Sequence, residues 1–263
     1  MTKKDLTVVY YTSNYLDTEN PVFLANTKKQ LVKAIGDLPL IVVSFKPVER
    51  FEGYTGSFTN LVAGRDFAPV RKGRHHLNIY YQIMVGAKYA TTKYVAMAED
   101  DILYSYDHFH SPEIDNWSKS GRNSFLYDMN KVSLFTWTKP PMFSFRSKRR
   151  VVNQLISPTI LLYEAMSERF LKLDEMLSAG MKEERILHYW GDPGRYEHSL
   201  GVTFRESEEY YSSSPSIVFT HPKAYGYLNH GKHKRLGDIR IIELYEWGRA
   251  EDILKQWGDK PIQ

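Results

Sequence analysis

Tyr94-Val-Ala-Met-Ala-Glu-Asp-Asp101 sets an apolar run directly against three acids. The run is apolar at each position from Val95 to Ala98, the pattern of a strand covered on both faces. In open α/β sheets ligands gather beyond the carboxyl ends of the strands, so Glu99, Asp100 and Asp101 are predicted to line a crevice.

The segments before it supply more of such a sheet. Leu6–Tyr11 and Leu38–Phe45 read as short buried strands, and Pro21–Ile35 between them carries Phe23, Leu24, Leu31, Val32 and Ile35 at helical spacing. A helix there is the crossover that parallel pairing needs. His76–Ala90 is also predicted helical, with Leu77, Tyr80, Tyr81, Met84 and Val85 on one side, and it feeds the acidic strand. Val48–Arg74 holds Gly53, Gly56, Gly64 and Gly73 with little periodicity and is expected to be a long loop, a lid or rim of the site. Downstream, Ser124–Trp137 holds two strand-like runs and Ile156–Tyr163 another, while Glu164–Trp190 is helical with a break near Gly180. Asp192-Pro193-Gly194 is a turn, Ser212–Pro215 a loop, Ile217–Thr220 a strand and Ala250–Trp257 a closing helix.

The 263 residues, 42% of them hydrophobic, are enough to bury one sizeable core, and a single domain over residues 1–263 is expected. No stretch reaches the roughly 18 consecutive apolar residues of a membrane span, and no apolar signal region follows the first residues. A soluble, cytoplasmic protein with no membrane partner is expected. Cysteine is absent, which excludes disulfides, thiolate zinc sites and cysteine nucleophiles and restricts a metal site to oxygen or imidazole donors. The formal charge is +4, with basic clusters at Arg71–His76, Arg146–Arg150 and Lys232–Arg235. Such clusters suit a polyanion, and ordinary solvated loops would produce them equally well.

Adjacent carboxylates repel one another. A hard divalent cation that also takes phosphate oxygens, Mg2+ or Mn2+, is the economical reason to gather them. The alternative is an acidic turn whose Asp residues cap the segment Ile102–Phe109.

The strand, helix, strand opening, then Asn78-Ile-Tyr-Tyr-Gln-Ile-Met-Val-Gly-Ala87, then Tyr94 through Tyr104, resembles the GT-A glycosyltransferases and their DxD-type motif over residues 5–165. Within that group Glu99-Asp-Asp-Ile-Leu-Tyr104, followed by Asp107-His-Phe109 and later Tyr127 and Trp137, is most similar to phage-associated enzymes related to the base J glucosyltransferase. Those enzymes decorate hydroxymethylated pyrimidines in DNA. The resemblance implies an α/β fold of the GT-A type, a Rossmann-like, nucleotide-sugar-binding single domain with a mixed, mostly parallel central sheet. Residues 1–110 would be its nucleotide-sugar-binding half, and residues 111–263 its acceptor-binding half with a C-terminal metal and diphosphate loop.

The same resemblance implies a nucleotide-sugar donor, a UDP-sugar, and Mn2+ or Mg2+. It assigns the metal to Asp101, with Glu99 or Asp100 facing the donor ribose or a metal-bound water, and a returning His230, with His221 in reserve. Tyr11, Thr12 and Ser13 would hold the nucleotide base, although an aromatic pair at a strand end also serves as core. Arg74, Asn78 and Gln82 would face the donor, a guanidinium being suited to a diphosphate; Asn78 and Gln82 would otherwise share a solvated helical face. Lys232, His233 or Lys234 would neutralise the diphosphate. Glu197, then Asp192, is the expected general base of an inverting transfer; a Glu197 at the start of a helix would otherwise stabilise the helix dipole.

Three functions follow. The favoured one is a metal-dependent transfer of a sugar to a hydroxymethylpyrimidine in DNA, in the host cytoplasm if the protein is phage-encoded. A second keeps the chemistry with a glycan, lipid-linked sugar or protein as acceptor. A third is a nucleic-acid-binding module without catalysis.

Overall fold

The computed structural model of the chain describes residues 5–73, 75–136, 139–145, 149–220 and 239–256. From the N-terminus the elements are β1 (Leu6–Thr12), α1 (Leu16–Glu19), α2 (Pro21–Ile35), β2 (Leu40–Ser44), β3 (Phe58–Val62), α3 (His76–Tyr89) and β4 (Tyr94–Glu99). Next come β5 (Ile102–Leu103), α4 (Asp107–His110), α5 (Pro112–Lys119), β6 (Phe125–Asp128), β7 (Lys131–Phe135) and β8 (Phe143–Phe145). A 3-10 turn at Val152–Gln154 leads into β9 (Leu155–Pro158), followed by α6 (Thr159–Ser178), α7 (Glu183–Tyr189), α8 (Glu197–Leu200), β10 (Ser207–Tyr210), β11 (Ser216–Thr220) and β12 (Arg240–Ile241). A helix over Ala250–Gln256 closes the described chain.

Seven strands form the main sheet in the order β10-β6-β9-β4-β1-β2-β3. β1 pairs in parallel with β2 and β4, β2 with β3, and β10 with β6, while β9 runs antiparallel to both β4 and β6. This is the expected α/β architecture with a mixed, mostly parallel sheet. Every residue of β1 is buried, and period-2 alternation divides them between two faces. Val9 and Tyr11 pack with Leu77, Tyr80 and Ile83 of α3 and Leu162 and Ala165 of α6. Leu6, Val8 and Tyr10 pack with Leu31, Ala34 and Ile35 of α2 and Ile114 and Trp117 of α5. The sheet is therefore covered on both sides, as parallel strands require. α3 approaches β1 closely at Gly86, where a Cβ would lie 2.2 Å from Val9 Cγ1.

The local signals account for the helix ends. Asn20 caps α2 by accepting from the Phe23 N–H at 3.2 Å, Pro21 occupies its first turn, and Gly36 ends it at φ +60°. Gly180, at φ +81°, marks the break between α6 and α7.

Two expectations are corrected. The Val48–Arg74 stretch contains β3, which forms the sheet edge and buries only Leu61 and Val62 fully, so its polar Thr59 and Asn60 hide the strand pattern. Thr159–Tyr163 opens α6 rather than extending β9: the apolar run continues through the junction, but after Pro158 the backbone turns helical.

A second sheet, in the order β12-β8-β7-β11-β5, abuts the first. β5 follows the acids directly and pairs with β11, and the Asp101 carbonyl accepts from the Phe219 N–H at 2.9 Å. Glu99 ends the central strand of one sheet and Ile102 begins a strand of the other, so the acids occupy the seam. No helix among the described residues is long and apolar enough to cross a membrane.

Candidate active site

The three acids are partly accessible in the seam. Glu99 lies beside Tyr11 in the β1–β4 ladder. Its carboxyl Oε2 accepts from Asn153 Nδ2 at 2.6 Å, and its backbone N–H donates to the Tyr104 hydroxyl at 3.1 Å. Tyr104, fully buried, in turn donates to the Asn153 carbonyl at 2.9 Å. Although Glu99 keeps an accessible face, the surrounding protein strips it of water. Burial first, and the charge of Asp101 second, push its carboxyl from 4.5 up to about 8, partly offset by the Asn153 amide.

Asp100 turns to the other flank. Its Oδ2 accepts from Thr12 Oγ1 at 2.6 Å and its carbonyl from Thr27 Oγ1 at 3.1 Å. Thr12 Oγ1 also accepts the Asn14 N–H at 2.9 Å. Asn14, in the left-handed region at φ +57°, accepts from the N–H groups of Phe45 and Lys46 at 2.9 and 2.8 Å, tying the exits of β1 and β2 together. Its amide nitrogen donates to Asp17 at 2.7 Å, and Lys28 Nζ stands 3.8 Å from Asp17 and 5.3 Å above the Phe51 ring. Burial lowers the Lys28 pKa, against the opposing pull of Asp17 and Asp100.

The turn at Val152–Gln154 joins this seam to a second carboxylate. Asn153 holds Glu99, while the preceding Val152 N–H donates to Asp192 Oδ1 at 3.1 Å. Tyr80 OH donates to the same oxygen at 3.3 Å, and Asp192 is 9% exposed. Burial raises its pKa, with Arg149 the largest opposing influence. The adjacent Pro193 carbonyl accepts from Tyr127 OH at 2.6 Å, and Gly194 at φ +78° closes the turn. Nearby, Lys131 is 6% exposed, and burial pushes its amine down to about 8 against the pull of Asp128.

Several expected site residues do other work. Glu197 is 2% exposed, and its Oε1 accepts from Arg169 Nη2 at 2.7 Å and from the Gly194 N–H. A general base must reach the acceptor hydroxyl, and a carboxylate committed to a fully buried guanidinium does not. Gln82, 2% exposed, donates its amide hydrogens to the Thr12 and Val43 carbonyls, both at 2.8 Å, bracing the ends of β1 and β2. Asn78 clamps the approach to α3, donating to the carbonyls of Arg71 and Gly73 at 2.8 and 2.9 Å and accepting the Arg71 N–H at 3.0 Å. Tyr11 is 3% exposed and packed in the core, so its ring does not stack on a base. Ser13 is half-buried between Thr12 and Asn14. Arg74, Trp137, His221, His230, Lys232, His233 and Lys234 lie outside the described residues.

Among the described residues no three His, Asp or Glu side chains converge as metal ligands. Glu99 and Asp101 nevertheless suit a hard cation: they are oxygen donors, partly buried, and the charge of Asp101 disfavours ionisation of Glu99 until positive charge arrives. A site with so few protein ligands is of the kind completed by water and substrate phosphate.

No family model matches the chain, and no curated protein matches it. Solved structures are similar at low identity. S. aureus TarS shares 10% identity over 83% of this chain and 37% of that one, with a TM-score of 0.45, so the chain spans little more than a third of that protein. The 2-C-methyl-D-erythritol 4-phosphate cytidylyltransferase from Thermus thermophilus shares 12% over 82% and 92%, with a TM-score of 0.45. A glycosyltransferase involved in the glycosylation of the major capsid of PBCV-1 shares 11% over 81% and 92%, with a TM-score of 0.43. Likenesses this distant assign no activity, and the case for one comes from the crevice residues.

Two measurements test the roles given to the acids. Glu197→Ala leaves Arg169 buried without its partner and is expected to cost about 3–5 kcal/mol in urea unfolding; unchanged stability would return Glu197 to a catalytic role. For Glu99, the unfolded carboxyl ionises near 4.5 and the native one near 8. The native state binds the extra proton between those values, so stability falls as pH rises through that window. In chelator, the melting temperature of the wild type should fall relative to Glu99→Gln as pH rises across it, and a difference independent of pH would contradict the assignment.

Proposed function

We propose that the protein is a GT-A glycosyltransferase that uses a divalent cation to move a sugar from a nucleotide-sugar to an acceptor hydroxyl. The observation that carries this reading is the placement of Glu99, Asp100 and Asp101 at the carboxyl end of β4, where the parallel half of the sheet opens its crevice. Residues 1–110 form the donor half, with a UDP-sugar laid over the tied exits of β1 and β2, and residues 111–263 form the acceptor half. Asp101 and Glu99 hold Mn2+ or Mg2+. The cation stabilises the negative charge that develops on the departing diphosphate.

Asp192 is the general base. Its raised pKa, and its link to Glu99 through Val152 and Asn153 on the far flank of the acids from Thr12, support this role. As the acceptor oxygen bonds to the sugar C1, its proton passes to Asp192, and the bond from C1 to the diphosphate oxygen breaks with its electron pair going to that oxygen. Attack from the flank opposite the leaving group inverts the anomeric centre.

The acceptor we propose is a 5-hydroxymethylpyrimidine in DNA. Arg149 and Arg195 stand on the Asp192 flank, where the charges of both act on Asp192. Phosphate contacts from such a flank supply affinity for a polyanion. The test incubates the protein with Mn2+, UDP-sugars and duplex DNA containing 5-hydroxymethylcytosine or 5-hydroxymethyluracil, then weighs the digested nucleosides. A hexose or pentose increment is expected, lost with chelator or Asp101→Ala and reduced about 10²–10⁴-fold by Asp192→Asn. Metal-dependent donor hydrolysis without that increment would move the acceptor to a glycan, lipid-linked sugar or protein. The absence of both hydrolysis and transfer would refute the enzyme.

A further inference from the structure

Asn153 stands at the only point in the described site where one side chain touches Glu99 while its chain neighbour touches Asp192. Its amide has a fixed orientation once Glu99 is ionised. Nδ2 donates to Glu99 Oε2 at 2.6 Å, and exchanging the two ends of the amide would set one acceptor oxygen against another. The remaining oxygen, Oδ1, is buried and receives no hydrogen bond from any described residue. A buried amide oxygen left without a donor is costly, and native structures seldom keep one without cause.

The sheet order says what passes over it. β2 and β1 lie on one side of β4, and β9, headed by Val152–Gln154, lies on the other. On the glycosyltransferase reading, on which this inference rests, the nucleotide occupies the β1 and β2 exits and the acceptor stands at Asp192. The transferred sugar must bridge the two, above the boundary of β4 and β9. Glu99 and Asn153 form that boundary. A sugar presents hydroxyl donors, and Oδ1 is an acceptor that needs one.

We propose that Asn153 determines donor specificity, its Oδ1 accepting a hydrogen bond from one hydroxyl of the transferred sugar while Glu99 holds the amide in place. The residue reads the sugar and leaves the nucleotide unread. Its loss therefore weakens the complete donor more than the nucleoside diphosphate.

Calorimetric titration with Mn2+ present, using UDP, a set of UDP-hexoses and their monodeoxy analogues, tests this on the wild type and on Asn153→Ala. For the wild type, one monodeoxy donor should bind about tenfold more weakly than its parent. Asn153→Ala should lose about tenfold more affinity for the parent donor than for UDP and should no longer distinguish that monodeoxy donor from its parent. Equal loss of UDP and UDP-sugar would make Asn153 a brace for Glu99 alone and overturn the proposal. So would a wild type that discriminates against no monodeoxy donor. A wild type that binds neither UDP nor any UDP-hexose would bring down the glycosyltransferase reading itself, and this proposal with it.

Discussion

Negative charge concentrated where the chain passes from one sheet to another is the constraint around which the rest of the structure is arranged. Glu99 is the last residue of β4 and Ile102 the first of β5, so Asp100 and Asp101 have no ladder of their own on the main sheet. Three carboxyl groups in a partly dehydrated seam would push the strand ends apart unless hydrogen bonds to their side chains and backbone held them. Thr12 meets Asp100, Asn153 meets Glu99, and the Phe219 N–H fixes the backbone at Asp101. These contacts come from β1, from the head of β9 and from β11, so both sheets are pinned at one place.

The flanks follow from that seam. On one side Asn14 adopts a left-handed backbone that few residues other than glycine tolerate, and uses it to gather the exits of β1 and β2. Gln82 reinforces them from beneath. On the other side, a single 3-10 turn presents a backbone N–H to Asp192 and a side-chain amide to Glu99 from successive residues. Motion of that turn would displace both acids together, which couples the two flanks of the crevice. The buried Arg169–Glu197 pair stands behind the Asp192 turn and anchors it through the Gly194 N–H.

What the sequence disclosed depended on how local each signal was. β1, α2, β2, α3 and β4 were legible because strong apolar periodicity and the Asn20, Pro21 and Gly36 boundaries are contained in short windows. β3 was not, because an edge strand buries only part of its length and keeps Thr59 and Asn60 polar. The acids were legible through their position after a buried strand. Their partners were not: Asn153 lies 54 residues from Glu99, and no spacing rule connects a 3-10 turn to a strand end across that distance. Glu197 misled for the same reason, since its Arg169 partner lies 28 residues upstream on α6, and only folding shows that its carboxylate is enclosed. Asn14 carried a faint signal, an Asn beside a Ser at a strand exit, where turn-forming residues tolerate the left-handed region.

A divalent cation held by Glu99 and Asp101 can be detected through the protons it displaces. Metal binding displaces protons from its ligands, so titrating Mn2+ into the protein in two buffers of different ionisation enthalpy counts them directly. With the Glu99 carboxyl pushed up to about 8, binding at neutral pH should release most of one proton, and Glu99→Gln should abolish that release. Binding of Mn2+ without proton release, or no binding even with UDP present, would mean that Glu99 and Asp101 do not hold the cation.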